Sequence, residues 1–174
     1  MTQRKLIAYL GVSLDGYIAT SDESVKWLET VPSSGDNGYG EFYASIDTIL
    51  MGHSTYDWIM RHVSEFPYPD KVNIVFSHSQ QSDSNDVTFV NNAVEYFVTK
   101  LKNDKGDDIW ICGGGKLFSD LLKMGLVDEI RLNIAPIILG QGISLYQDLV
   151  KPSQLTLLDM HRHNQFVELI YSVN

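Results

Sequence analysis

The run Ile109-Trp110-Ile111-Cys112-Gly113-Gly114-Gly115-Lys116-Leu117-Phe118 carries the plainest chemical signal in the chain. An apolar strand runs into consecutive glycines, and a helix-forming segment follows at once. The first N–H groups of a helix have no intrahelical partner, and the macrodipole favours an anion beside them. Glycine removes the Cβ atoms that would hold a phosphate away from the backbone. The run therefore reads as a cradle for a nucleotide diphosphate. The competing reading is a tight turn in which glycine only supplies positive φ. The spacing is neither the dinucleotide fingerprint nor the Walker loop.

Two further apolar segments end in polar residues, Gly52-His53-Ser54-Thr55 and Ser77-His78-Ser79. In an open parallel sheet, ligands sit beyond the carboxyl ends of the strands, so the three exits would share one rim. Two of them open helices, which suits the two phosphates of a dinucleotide. The alternative for Ser54 and Thr55 is simple N-capping. His161 and His163 alternate about Arg162, but no third metal ligand accompanies them, so they read as a solvated strand face and no metal is expected.

Composition narrows the function. A net charge of −9 repels nucleic acid, and it makes local contacts to any anionic cofactor more important. Residues 1–174 are expected to form one domain, with 44% hydrophobic and 20% charged residues in the ordinary soluble range. The single cysteine, Cys112, cannot form an intrachain disulfide and reads as a small buried hydrophobe in a reducing compartment. No run is long enough to span a membrane, and Met-Thr-Gln-Arg-Lys leads straight into Leu6-Ile7-Ala8-Tyr9-Leu10. A soluble cytoplasmic protein is expected.

The pattern predicts strands over 5–12, Thr48 to Met51, Val72 to Phe76, Val87 to Val90, 108–112 and Glu129 to Ile138. Helices are predicted over Tyr39 to Ser45, from His53 or Ser54 to Met60, from Ala93 to Lys102 with Asn92 as cap, and after the glycines as far as Gly125. Residues 20–38 read as a long loop, and Leu155 to His163 with Phe166 to Val173 as an antiparallel pair turning at Asn164-Gln165. The result is an α/β fold: a mostly parallel central sheet with antiparallel C-terminal edge strands and helices on both faces.

In this order the motifs resemble a known family. Ser13-Leu14-Asp15-Gly16-Tyr17-Ile18-Ala19, Ile49-Leu50-Met51-Gly52-His53-Ser54-Thr55-Tyr56, Asn73-Ile74-Val75-Phe76-Ser77 and the glycine run are similar to the dihydrofolate reductase-like fold. Gly125-Leu126-Val127-Asp128-Glu129-Ile130 and Pro136-Ile137-Ile138-Leu139-Gly140-Gln141-Gly142 point to its riboflavin branch, the reductase domain of the deaminase–reductase and its stand-alone relatives.

The resemblance implies NADPH, or NADH, lying across the rim. Gly113, Gly114, Gly115, Lys116 and Leu117 would hold its pyrophosphate with Ser54 and Thr55, beside Gly52. His53, Ser77 and His78 would lie near the adenosine ribose and its 2′-phosphate, and Ala8 and Ile18 would line the nicotinamide. Asp15, Gly16, Trp27 and Asn133 would border a small-molecule substrate. Folate reductases commonly carry arginine where this chain has His53. Their pterin-binding carboxylate has Asp36 or Glu41 as its nearest counterpart here, and Asp36 is taken as the acid or anchor.

The expected activity is hydride transfer to a small heterocyclic or carbonyl compound, such as a ribosylaminouracil-like pyrimidine or a pterin. The chain has no deaminase zinc signature and few Lys or Arg to grip a ribose phosphate. The rival is a nucleotide-binding module of the same fold without turnover. The resemblance also implies a homodimer paired through sheet edges and C-terminal strands.

Overall fold

The structure, a computed structural model, describes residues 3–33, 35–79, 82, 84–91 and 93–174. It comprises β1 (Leu6–Ser13), β2 (Tyr17–Ala19), a 3-10 turn (Lys26–Thr30), α1 (Tyr39–Ala44), β3 (Ile46–Gly52), α2 (His53–His62), β4 (Val72–Phe76) and β5 (Thr88–Val90). There follow α3 (Val94–Asn103), β6 (Asp108–Gly113), α4 (Gly115–Lys123), β7 (Glu129–Ala135), β8 (Ile143–Ser144), β9 (Leu155–His163) and β10 (Phe166–Val173).

Eight strands form one sheet in the order β5-β4-β3-β6-β1-β7-β10-β9, while β2 pairs with β8 in a separate ribbon. All pairings from β5 to β7 are parallel, and β10 joins β7 and β9 antiparallel. Strands covered on both faces need apolar residues on both, which explains near-continuous runs such as Leu6-Ile7-Ala8-Tyr9-Leu10.

The side chains divide by alternation. Leu6, Ala8, Leu10 and Val12 join Phe118, Leu121 and Val98 on the face covered by α3 and α4. Ile7 and Tyr9 join Phe42, Ile59 and Trp110 on the face covered by α1 and α2. At α4 the C-terminus closes with Gly125 at φ +68, Leu126 N–H bonding Leu121 O at 3.1 Å and Gly125 N–H bonding Leu122 O at 3.0 Å.

Several predicted boundaries move. The strand expected over Glu129 to Ile138 stops at Ala135, because Pro136 has no N–H to continue the ladder. Within the 20–38 loop, the 3-10 turn buries Trp27 against Val31, Ala135 and Phe166. Helix α3 begins at Val94 behind Ala93 at φ +55, and Asn92 lies outside the described residues. The β9–β10 hairpin turns as expected at Asn164, whose φ is +58. No helix among the described residues is long and apolar enough to cross a membrane.

Phe118 is fully buried and anchors the helix that follows the glycines. Phe118→Ala is expected to lower unfolding stability by about 3–5 kcal/mol, measured by urea denaturation. A loss below about 1 kcal/mol would contradict this packing.

Candidate functional site

Register sets the three strand exits side by side. Gly52 pairs with Phe76 and Met51 with Gly113, so the polar residues after β4, β3 and β6 emerge along one edge. Helix α2 starts directly after Gly52, and α4 directly after Gly114. Both N-cap residues are glycine, and neither helix start has a side-chain cap. The first-turn N–H groups of both helices are thus open to an anion. Ser54 and Thr55 sit inside the first turn of α2, which excludes the capping alternative for them.

The glycines differ in what they permit. A Cβ on Gly115 would come 2.5 Å from Ser144 O and 3.0 Å from Leu145 O, so this glycine is required by the chain's own packing. A Cβ on Gly114 would meet Thr55 Oγ1 at 3.1 Å. Gly113 has φ +152 and faces the same threonine. The two helix starts therefore touch through Thr55.

They open on a cavity of about 640 Å³. Ile18, Ser54, Thr55, Gly113, Gly114, Gly115 and Lys116, all expected at a coenzyme site, line it. Tyr9, Gly11, Leu28, Tyr39, Trp58, Tyr68, Trp110 and Cys112 line it as well. A second chamber of about 310 Å³ shares Tyr9, Gly11, Leu28 and Tyr39 with it and adds Asp36, Asn37, Asn133 and Phe166.

Other expected residues lie elsewhere. Ala8 is fully buried in the core and lines neither chamber; Tyr9, Leu10 and Gly11 line the larger one. Trp27 packs in its own apolar cluster. Asp15 accepts bonds from Ser13 Oγ at 2.7 Å, Gly140 N–H at 2.7 Å and Leu139 N–H at 3.1 Å. Those bonds, Ser13's first, lower its pKa and tie the β1–β2 turn to residues 139–140, while Gly16 O accepts Leu145 N–H at 3.0 Å; neither residue lines either chamber. His53 lies 3.5 Å from Asp57 and edge-on to Phe89. Ser77 Oγ accepts from Ser79 N–H at 3.2 Å, and His78 is exposed. Leu117 packs against the core beside Gly52.

Asp36 does line the smaller chamber, but its carboxylate is occupied. It accepts Gly40 N–H at 2.7 Å and Gly38 N–H at 3.1 Å, and these bonds hold its pKa below the usual carboxylate range. Such a group is ionised at neutral pH and has no proton to give, so the geometry supports an anchor and not a general acid.

Tyr9 is pushed up to about 12, by burial first and then by the Glu168 charge. Tyr39 is also raised to about 12, chiefly by burial. Both hydroxyls therefore stay protonated and can donate, Tyr9 already to Asn37 O at 3.3 Å. Lys116 is held by Asp120 at 2.9 Å and 3.0 Å, bonds that raise its pKa, so its charge is already partnered.

Sequence patterning missed the aromatic wall. Tyr9 and Trp110 sit in strands apolar on both faces, so alternation does not mark which face meets a cavity.

Residues 4–168 match the family described as RibD C-terminal domain. The chain is 40% identical to YwjB of Bacillus subtilis over 170 residues, 97% of this chain and 98% of that one. A Shewanella sp. PV-4 protein assigned to riboflavin biosynthesis superposes with a TM-score of 0.89 at 24% identity, covering 98% of this chain and 99% of the other. Dihydrofolate reductase of Enterococcus faecalis, solved with NADP(H), gives 0.67 at 16% identity, covering 99% and 98%. At these identities the structures establish the fold.

Burial raises the Cys112 thiol to about 11, with Tyr68 Oη 3.6 Å from its sulfur. Since the thiolate is the nucleophile, iodoacetamide should label Cys112 slowly at pH 8 and faster as pH approaches 11. A bound ligand should slow labelling further. Rapid, ligand-insensitive labelling at pH 8 would contradict this environment.

Proposed function

The chain belongs to the RibD C-terminal domain family, and on that premise we propose that it is a nicotinamide-dependent reductase of a small heterocyclic or carbonyl substrate. The observation that carries this reading is the pair of glycine-capped helix starts meeting at Thr55 on one wall of the larger cavity. A dinucleotide's pyrophosphate fits there: the N–H groups of both first turns lack side-chain caps, and a Cβ at Gly114 would crowd the cradle.

In this reading Gly113, Gly114, Gly115, Ser54 and Thr55 bind the pyrophosphate. Ile18 and Gly11 flank the nicotinamide, and the smaller chamber receives the substrate. When bound, the reduced nicotinamide supplies a hydride. The chain's own part is positioning. Tyr9, Tyr39 and Leu28, shared by both chambers, hold substrate and coenzyme in contact and restrict water. With Asp36 ionised, the proton comes from water.

A second reading, binding without turnover, draws on that same ionised Asp36. Titration with NADPH, followed by its oxidation at 340 nm against pterins, pyrimidines and quinones, separates the two. Turnover of one acceptor supports the reductase; tight binding with no oxidation of any acceptor supports the module.

Gly114→Ala should weaken NADPH binding at least about tenfold with little change in stability, because the methyl group enters the cradle beside Thr55. Unchanged affinity would contradict the assignment.

His53 stands at the rim position assigned to the 2′-phosphate. An imidazole ring N–H there can donate to the phosphate oxygens. The affinity for NADPH should therefore exceed that for NADH, and His53→Ala should lower that ratio. Equal affinities for the two coenzymes would reject the preference for NADPH.

A further inference from the structure

The smaller chamber has a polarity of its own. Its lining includes Asn133, which is 6% exposed; its side chain hydrogen-bonds Tyr9, but its side-chain oxygen has no hydrogen-bond partner. Asn37, beside it in the lining, likewise has a buried side-chain oxygen without a partner. Buried polar groups are almost always satisfied, so two orphaned oxygens on residues of one chamber point to a ligand that brings N–H or O–H donors. The ring faces of Tyr9, Tyr39 and Phe166 complete walls suited to a flat molecule.

The charge around this chamber is negative. Glu29 and Asp36 stand exposed in its lining, and buried Glu168 pairs across the sheet with Asn133. No Lys or Arg is among the described residues that line it. The basic side chains that act on Tyr9 and Asp36 are already engaged. Arg131 Nε donates to Glu129 at 2.6 Å, and His163 Nε2 lies 3.3 Å from Glu168. A phosphate brought here would lose water and meet carboxylates without a compensating cation.

We propose that this chamber selects a planar heteroaromatic ring with N–H donors and no phosphate or other anionic substituent, Asn133 reading the ring's hydrogen-bonding edge. The inference rests on the reductase reading, in which this chamber receives the substrate, and it narrows the substrate class. Discrimination comes from both sides. The orphaned amides reward donors on the ring, and the surrounding carboxylates disfavour an anionic tail.

The test uses quenching of intrinsic fluorescence by lumazine, by a ribosylaminouracil and by the 5′-phosphate of that same riboside, each with and without NADPH. The riboside should bind at least about tenfold more tightly than its phosphate ester, given the penalty for juxtaposed like charges. Glu29→Lys, at an exposed position, should reverse that order. Asn133→Leu removes that unpartnered oxygen at similar volume and gives up its side-chain contact with Tyr9, whose hydroxyl keeps Asn37 O, so it should leave the melting temperature little changed while weakening lumazine at least about tenfold. A purely structural asparagine would not separate those two readouts.

Equal or tighter binding of the phosphate ester to the unaltered protein overturns the proposal, and so does failure of lumazine and the riboside to bind. If the rings bind as expected but NADPH does not, the chamber's selectivity stands and the reductase reading falls.

Discussion

The chemistry proposed for this molecule depends on one geometric constraint: two helices begin side by side with nothing but glycine to cap them. A helix start with a serine or aspartate cap satisfies its own donors. Those of α2 and α4 have Gly52 and Gly114 instead, and no side chain intervenes. Parallel register brings the starts together, because β3 and β6 are neighbours and Met51 pairs with Gly113. The open donors of both helices thus add their dipoles at one place. In a protein of net charge −9, that local field is what favours an anion over the global repulsion.

The rest of the site arranges itself around that point. Phe118 and Leu121 pin α4 to the sheet, so the glycines cannot drift from Thr55. On the other sheet face, Tyr9 stacks on Phe42 at 4.3 Å, with Trp110 edge-on to both. This rigid aromatic layer forms the cavity wall and links it to the smaller chamber. Polar groups are sparse and fixed. Asp36 holds the start of α1 through Gly38 and Gly40, and Asp15 holds the 139–140 segment. These two carboxylates organise backbone, which is why neither presents a free proton to a ligand.

The fold was largely legible in the sequence, because its strongest signals are local. Apolar runs ending in Gly52, Ser77 and Gly113 mark parallel strands and their exits, and Asn164-Gln165 marks the hairpin. The strand-to-helix junctions at Gly52 and at Gly113 to Gly115 were legible for the same reason. Three features were not. The two residues of β8 carry too little pattern to be seen. The partition of β1 between faces depends on which side a helix covers, so Ala8 and Tyr9 are equivalent until α1 and α4 are placed. The missing Cβ of Gly115 reads as room for a ligand until the Ser144 carbonyl, far away in sequence, is found against that position.

The central claim is that amides at the starts of α2 and α4 jointly hold an anionic linker. Amide NMR shifts followed during titration with NADPH and, separately, with reduced nicotinamide mononucleotide, which lacks the pyrophosphate bridge, test it directly. The account predicts large, saturable shifts at Ser54, Thr55, Gly114 and Gly115 with NADPH and much smaller ones with the mononucleotide. Equal shifts with both, or shifts confined to other parts of the chain, would contradict it.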